Sequence, residues 1–232
     1  MEGPATSGAL RLALGRGEAA ALRRAVRPLS FLEQRHLQLR FASVPWDRIL
    51  PAFSRDGALA DFGCGPGLLS HLLSRAGFSG TYLGLDPDPR KIDRARRWLP
   101  ESAGRRFTLG PVSATPPGLF AQAALIDVLY LVPPSERTAF VSGAARWLAP
   151  GGLLVAVTSG GGSAWKRLLD GLQERLAVGL GVTRGATVAL CDGAEVARLL
   201  SGVGFVDVTV SDIGDGYLHG FELVRGRRPP AP

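Results

Sequence analysis

Two kinds of hydrophobic pattern follow one another along the chain. Apolar side chains recur at steps of three and four over residues 9–26 and 29–42, which predicts two amphipathic helices. After Pro45, short apolar runs alternate with helical patterns. Strands are predicted at residues 58–60, 81–85, 106–109, 123–126, 153–158, 205–210 and 218–224, and helices at 68–76, 89–99, 135–148, 163–177 and 194–200. This alternation favours an α/β fold, a doubly wound, mostly parallel sheet with helices on both faces.

The composition is that of a globular domain. The 232 residues are 46% hydrophobic, which is enough to form a core and excludes a wholly disordered chain. No apolar run approaches the roughly 20 residues of a membrane span, and the N-terminus lacks the features of a secretion signal. The two cysteines, Cys64 and Cys191, show no metal-ligand spacing. We therefore expect reduced thiols, no metal site and a cytoplasmic location.

A net charge of +7 first suggests an anionic partner. The basic residues concentrate on the two N-terminal helices, on residues 90–97 and on the tail at residues 225–228, and they are not interleaved with aromatic residues. Nucleic acid is therefore not favoured as a partner. This distribution of charge is compatible with an anionic membrane surface as the partner.

The strongest local signal is a glycine-rich turn between a predicted strand and a predicted helix. Residues 61–67 read Asp-Phe-Gly-Cys-Gly-Pro-Gly, and glycines at such a turn let a ligand approach the backbone closely. Asp86 follows the next strand, 19 residues after Gly67. An acidic residue at this point accepts hydrogen bonds from ribose hydroxyls, so the pair predicts a nucleoside cofactor rather than an ordinary turn.

The same residues argue against a dinucleotide. Its fingerprint has glycine or alanine where this chain has Leu68, and the carboxylate of Asp61 would repel a pyrophosphate. A ligand that carries an ammonium group suits Asp61 instead. S-adenosylmethionine has that group, together with a sulfonium, and contains no phosphate.

On these residues the chain resembles the class I, Rossmann-like, S-adenosylmethionine-dependent methyltransferases. Residues 61–67 are similar to their first motif, 83–88 to the second, 124–130 to the fourth-strand motif and 147–154 to the turn before the fifth strand. The resemblance covers residues 46–224 and implies a seven-stranded sheet with an antiparallel last strand. It also implies that the helical segment 1–45 forms a lid over the substrate mouth, while residues 225–232 are expected to be a flexible basic tail.

The resemblance assigns roles to particular residues. The first motif would bind the methionine portion of the cofactor, and Asp86 would bind the ribose. Pro87 would contact the face of the adenine, and the end of the fourth strand would close the pocket. Many family members have an acidic residue after the third strand, and here the backbone of Val112 or the hydroxyl of Ser113 is expected to replace it. The complete cofactor set is Asp61, Gly63, Cys64, Gly65, Gly67, Asp86, Pro87, Val112, Ser113, Asp127 and Val128.

Methyl transfer from a sulfonium is a displacement at an activated carbon, so the protein contributes mainly positioning and desolvation. A general base is needed only for an acceptor that arrives protonated. Among the candidates His36, His71, His219 and Tyr130, we place His219 first and Tyr130 second as catalytic residues.

The sequence favours a small-molecule or lipid-like acceptor, methylated on oxygen. No Asn-Pro-Pro-Tyr-like segment, which many enzymes that methylate exocyclic amines carry, follows Ile126. Two alternatives remain open at this stage: an RNA methyltransferase that binds through the arginine-rich surface, and a noncatalytic, methyltransferase-like binding protein.

Overall fold

The computed structural model describes residues 9–110, 119–159, 189–217 and 220–230. Each of the seven predicted strands forms within these ranges, with shifts of a few residues at the ends. The strands are β1 Leu59–Phe62, β2 Tyr82–Asp86, β3 Arg105–Leu109, β4 Phe120–Ile126, β5 Leu148–Ser159, β6 Val206–Asp212 and β7 Phe221–Arg227. The helix predicted at residues 163–177 lies outside the described residues.

Helices surround this sheet. They are α1 Arg16–Ala25, α2 Phe31–Ser43, the short α3 Trp46–Ile49, α4 Leu68–Arg75, α5 Pro89–Trp98, α6 Pro134–Trp147 and α7 Gly193–Gly202. Single 3-10 turns follow α3 at Leu50–Ala52 and β4 at Leu129–Leu131. α1 begins at Arg16, later than the predicted residue 9, with Gly15 as its N-cap, because glycine disfavours the interior of a helix. Leu10 is nevertheless buried in the core.

The sheet has the order β3-β2-β1-β4-β5-β7-β6. β1 to β5 pair in parallel, whereas β7 is antiparallel to both β5 and β6. The doubly wound, seven-stranded sheet with an antiparallel last strand is therefore confirmed. The direction of winding reverses between β1 and β4, which opens a crevice at the carboxyl ends of these strands where ligands bind in such folds.

The N-terminal helices share a core with the rest of the domain. Leu22 and Val26 from the α1 region and Leu37 from α2 are almost completely buried, in one cluster with Leu69 and Leu72 of α4. Residue 45 therefore marks a change of sequence pattern, while the apolar core continues across it.

The expected tail starts later than the sequence suggested. β7 continues to Arg227, with Val155 opposite Arg225 and Leu153 opposite Arg227 on β5. The backbone N–H of Arg228 also donates to the carbonyl of Gly152. Residues 225–227 are thus strand, because the long β5 offers them backbone partners. Within the described residues, no helix has both the length and the apolar character needed to cross a membrane.

Candidate cofactor site

Three aspartates meet at the carboxyl ends of neighbouring parallel strands. Asp61 lies near the end of β1, Asp86 ends β2 and Asp127 follows β4 directly. Each is buried, with exposed fractions of 2%, 2% and 7%. The sheet order places β1 between β2 and β4, so the carboxylates surround the crevice at the switch point.

The loop from β1 to α4 requires its glycines. Gly63, Gly65 and Gly67 have φ angles of 73°, 55° and 85°, in the left-handed region that other residues rarely adopt. A Cβ on Gly63 would lie 2.6 Å from Cγ2 of Val128, so the loop packs directly on the end of β4. A Cβ on Gly65 would meet no described atom within 4 Å. The loop is therefore closely packed at Gly63 and open at Gly65, where a ligand has room to approach.

Both β2 and α5 hold the loop in place. The carbonyl of Leu85 accepts hydrogen bonds from the backbone N–H groups of Gly63 and Cys64, at 2.7 and 2.9 Å. From α5, Nε1 of Trp98 donates to the carbonyl of Pro66 at 2.7 Å. Contacts with the backbone of β2 and with the Trp98 side chain of α5 therefore fix the conformation of the loop.

Cys64 packs inward, as a small filler would. Its side chain occupies the space above Gly84 on β2, where a Cβ would lie 2.8 Å from the Cys64 sulfur. Burial raises the pKa of the Cys64 thiol well above its ordinary value, and the charges of Asp61 and Asp86 add to this rise. The neutral thiol supports the loop from below.

The carboxylate of Asp86 is oriented by backbone donors. Oδ2 accepts from the N–H of Gly65 at 3.0 Å, and Oδ1 accepts from the N–H of Asp88 at 2.9 Å. Nζ of Lys91 lies 3.7 Å from Oδ2. Each carboxylate oxygen has further acceptor capacity, which suits a pair of ribose hydroxyls. Pro87 is exposed at the rim beside it, as a surface for a planar base requires.

Asp127 carries the clearest mark of a binding site. Its backbone adopts a φ of 54°, which is strained for a residue with a side chain. Oδ2 accepts from Nη1 of Arg40 at 2.9 Å. Oδ1 is buried and has no hydrogen-bond partner among the described residues. A buried acceptor left unsatisfied costs about 1–3 kcal/mol, so a donor from a ligand would relieve that cost.

Asp61 is hydrogen-bonded inside the sheet. The hydroxyl of Tyr82 donates to its Oδ2 at 2.5 Å, and both residues are buried. Burial raises the pKa of Asp61 to about 7; the Tyr82 hydrogen bond opposes that rise and the charge of Asp86 adds to it.

Helix α2 lies across this edge of the sheet. Its Arg40 reaches Asp127, and Glu33 accepts from Arg94 at 2.8 Å and from Arg97 at 2.7 Å, both on α5. α2 thus spans from α5 to the end of β4. The lid over the substrate mouth, expected of residues 1–45, stays a prediction.

Of the two expected catalytic residues, the structure describes Tyr130 but not His219. His219 lies outside the described residues, as do the cofactor candidates Val112 and Ser113. Tyr130 is half-buried in the 3-10 turn after β4, and its carbonyl accepts from the N–H of Ala189 at 3.1 Å. Its place beyond Asp127 and Val128 keeps it near the crevice.

The remaining two histidines have distinct surroundings. His71 packs against Trp98 with ring centroids 5.2 Å apart, and burial lowers its pKa to about 4, which is a packing role. His36 lies one helical turn before Arg40 on α2, and partial desolvation and the cations Arg40, Arg94 and Lys91 lower its pKa.

Sequence reasoning missed Arg40, Tyr82 and Trp98. Arg40 is one of many arginines in the chain, and Tyr82 and Trp98 occupy ordinary apolar positions of a strand and a helix. Each acts through a partner 21 or more residues away in the chain, and a single sequence carries no signal for such pairs.

Comparison with known proteins identifies the class of this fold and site. A family model described as "Methyltransferase domain" matches residues 31–210. The apo structure of the S-adenosylmethionine-dependent methyltransferase SibL superposes with a TM-score of 0.67 at 18% identity, over 93% of this chain and 71% of the other. Human N-acetylserotonin methyltransferase in complex with SAM gives a TM-score of 0.63 at 17% identity, over 92% of this chain and 66% of the other. The fold is that of the class I, S-adenosylmethionine-dependent methyltransferases.

Curated relatives agree with this class. A ubiquinone biosynthesis O-methyltransferase of Methylocella silvestris is 33% identical over 131 residues, which are 55% of this chain and 48% of that protein. A trans-aconitate 2-methyltransferase of Methylobacterium nodulans is 37% identical over 98 residues, 41% of this chain and 36% of that protein. The chain thus spans about half or less of the length of these relatives. The chain belongs to the methyltransferase-domain family.

Proposed function

We propose that this protein uses S-adenosylmethionine to methylate a small-molecule or lipid-like acceptor on oxygen. The observation that carries the proposal is the crevice between β1 and β4. There three buried aspartates surround a glycine loop that is open at Gly65, and the Oδ1 atom of Asp127 has no partner within the described part of the chain. Hydrogen-bond acceptors in this number suit a cofactor with ribose hydroxyls and an ammonium group, and they do not suit a pyrophosphate.

The residues present fit this cofactor, which supplies a methyl group already activated on a positively charged sulfur. Asp86 accepts the ribose hydroxyls, and Pro87 faces the adenine, with Val112 and Ser113 as its further contacts. Asp61 and Oδ1 of Asp127 accept the ammonium group. Arg40 donates to Asp127 through Nη1, and the rest of its guanidinium is available to the methionine carboxylate. The glycine loop brings backbone N–H groups close to the methionine portion.

The chemical work left to the protein is to position the acceptor and exclude water. α2 covers the carboxyl ends of the strands, and the apolar side chain of Val128 packs against Gly63 of the loop at the end of β4. An acceptor hydroxyl that arrives protonated would lose its proton to neutral His219, or to Tyr130 in its ionised form; these are the two residues we propose as bases. The O-methyltransferase name of the Methylocella relative supports oxygen as the acceptor atom.

A titration and a product measurement test this function. We expect S-adenosylmethionine and its demethylated product to bind in a calorimeter at micromolar concentrations. We further expect one acceptor from a panel of phenols, enols and carboxylates to gain the mass of one methyl group. Absence of binding would indicate the noncatalytic alternative, and turnover on RNA alone would indicate the RNA methyltransferase.

The proposal also covers the cellular location of the protein and its contact with membranes. Cys64 and Cys191 are free thiols, which supports work in the reducing cytoplasm. Contact with an anionic membrane is supported by α2, on which Phe31, Leu32 and Leu39 are 73%, 79% and 60% exposed. They share a face of the helix with exposed Arg35, opposite buried Leu37.

A further inference from the structure

Asp61, which we propose as a partner of the cofactor's ammonium group, occupies an unusual electrostatic position. Its side chain is 2% exposed, and no cation of the described residues forms an ion pair with it. Its hydrogen bond comes from the hydroxyl of Tyr82, two residues before Gly84 on the adjacent strand. Tyr82 is itself fixed by burial and by an edge contact with Phe107, with ring centroids 5.8 Å apart.

The other ionisable groups around Asp61 do not neutralise it. Asp86 on β2 adds negative charge, and the Cys64 thiol in the loop stays neutral. Arg105 on β3 acts on Tyr82, while Lys91 on α5 lies 3.7 Å from Asp86. Arg40 on α2 pairs with Asp127. Among the residues that the structure describes, only the Tyr82 hydroxyl therefore stabilises an ionised Asp61 directly.

We propose that Tyr82 is a positioning residue that holds the Asp61 carboxylate for the ammonium group of the cofactor, and that cofactor binding releases a proton from Asp61. This inference rests on the proposed function, because it assumes that an ammonium ligand reaches Asp61. The hydroxyl donates a hydrogen bond that favours the ionised carboxyl and fixes its rotation about Cβ–Cγ.

The direction of the pH dependence follows from this arrangement. An ammonium group binds the ionised carboxylate, and the pKa of Asp61 lies near 7 in the free protein. Below that pH the carboxyl must lose its proton on binding, so affinity rises as the pH increases toward 7. The α-amino group of the ligand loses its own charge near pH 8, so measurements belong between pH 5.5 and about pH 7.5.

Calorimetry in pairs of buffers with different ionisation enthalpies measures the released protons. We expect S-adenosylmethionine binding to release close to one proton at pH 6 and fewer as the pH approaches 7.5. Tyr82→Phe removes one hydrogen bond to a charged group, so we expect affinity at pH 6.5 to fall about tenfold and proton release to persist to higher pH.

The chain provides a matched control for this substitution. Tyr217 donates to Asp47 at 3.1 Å in a second tyrosine–aspartate pair, where the hydroxyl is exposed to solvent. We expect Tyr217→Phe to bind the cofactor with the affinity and proton release of the parent. Asp61→Asn should weaken binding and abolish the proton release at every pH.

A second measurement separates this inference from the function on which it rests. Carbon NMR of the aspartate side chains in the free protein should show Asp61 titrating near neutral pH, and higher in Tyr82→Phe. If S-adenosylmethionine binds without releasing a proton and Asp61 titrates in the ordinary range, the inference is overturned while the proposed function stands. If Asp61 titrates near neutrality but the cofactor does not bind, the proposed function fails and the coupling fails with it.

Discussion

At the scale of single residues, the three aspartates of the crevice differ in their partners although all are buried. Backbone N–H groups orient Asp86, a guanidinium pairs with Asp127, and a tyrosine hydroxyl bonds Asp61. These partners leave different capacities for a ligand. Asp86 has two oriented oxygens, and Asp127 has one oxygen without a partner in the described ranges. Asp61 has a carboxyl whose charge depends on pH.

Removing the Asp86 side chain tests the ribose contact. Hydrogen bonds to a carboxylate contribute about 1.5–3 kcal/mol each, so we expect Asp86→Ala to weaken S-adenosylmethionine binding by at least tenfold in calorimetry. Asp88→Asn is the matched control, because Asp88 lies two residues away and caps α5 through Arg90. Thermal unfolding verifies that both variants are folded. Parental affinity in Asp86→Ala would show that the cofactor lies elsewhere.

Residues differ in how far the sequence predicts them. Asp86 followed from its place after a strand and a glycine loop, because such positions are set by the local backbone pattern. Arg40 did not, since 87 residues separate it from Asp127. Only the folded chain brings the guanidinium and carboxylate together, and it selects Arg40 from many equivalent arginines.

At the scale of elements, one buried arginine joins three parts of the chain near the crevice. Arg137 of α6 is 1% exposed. Its Nε donates to the carbonyls of Leu129 and Val132 after β4, both at 3.1 Å. Its terminal nitrogens reach the carbonyl of Ala189 at 2.5 Å and Glu195 of α7 at 2.6 Å. Arg137 therefore fixes the turn that carries Tyr130 relative to α7.

Arg137→Met keeps much of the length and volume of the side chain but removes its donors. Several carbonyls and Glu195 would lose their partner, and we expect the free energy of unfolding to fall by about 3–5 kcal/mol. Denaturant titration measures it. Arg146→Met is the control, because Arg146 is exposed on the same helix, and it should change stability by less than about 0.5 kcal/mol. Equal stability of the two variants would disprove the role of Arg137.

At the scale of the whole molecule, the positive charge and the exposed face of α2 affect which surface the protein binds, and they do not take part in methyl transfer. The charge is +7, whereas the crevice itself is lined by buried aspartates. Exposed Arg27 precedes α2, and exposed Arg35 lies among its apolar residues. Long-range attraction to an anionic surface with insertion of a few apolar side chains is a weak and reversible mode of binding.

Vesicle sedimentation tests this surface. We expect binding to vesicles that contain phosphatidylglycerol, little binding to pure phosphatidylcholine, and loss of binding in 0.5 M salt, at about 1 kcal/mol per arginine near the surface. Leu32→Ser with Leu39→Ser should reduce binding several-fold. Val206→Ser with Val210→Ser is the control, since these residues are 43% and 44% exposed on β6. Equal binding by both double variants, or a dimer that covers α2, would contradict the membrane role.

The sequence by itself determined the parts of this protein that follow from local pattern. It predicted the seven strands, the doubly wound class of the sheet, the glycine-rich turn at residues 61–67 and Asp86 at the end of β2. These features depend on backbone preferences and periodicity, which act over a few residues. They also located Asp61 and Asp127 at strand ends.

Only the tertiary structure decided how those residues are tuned. It placed the Tyr82 hydroxyl on Asp61, Arg40 on Asp127 and the Trp98 indole on the loop. It also extended β7 through Arg227 and joined α1 and α2 to the common core. Packing determines which distant groups become neighbours, and burial then changes their pKa values. No local stretch of sequence therefore predicts the pairing of Asp61 with Tyr82 or the raised pKa of Asp61.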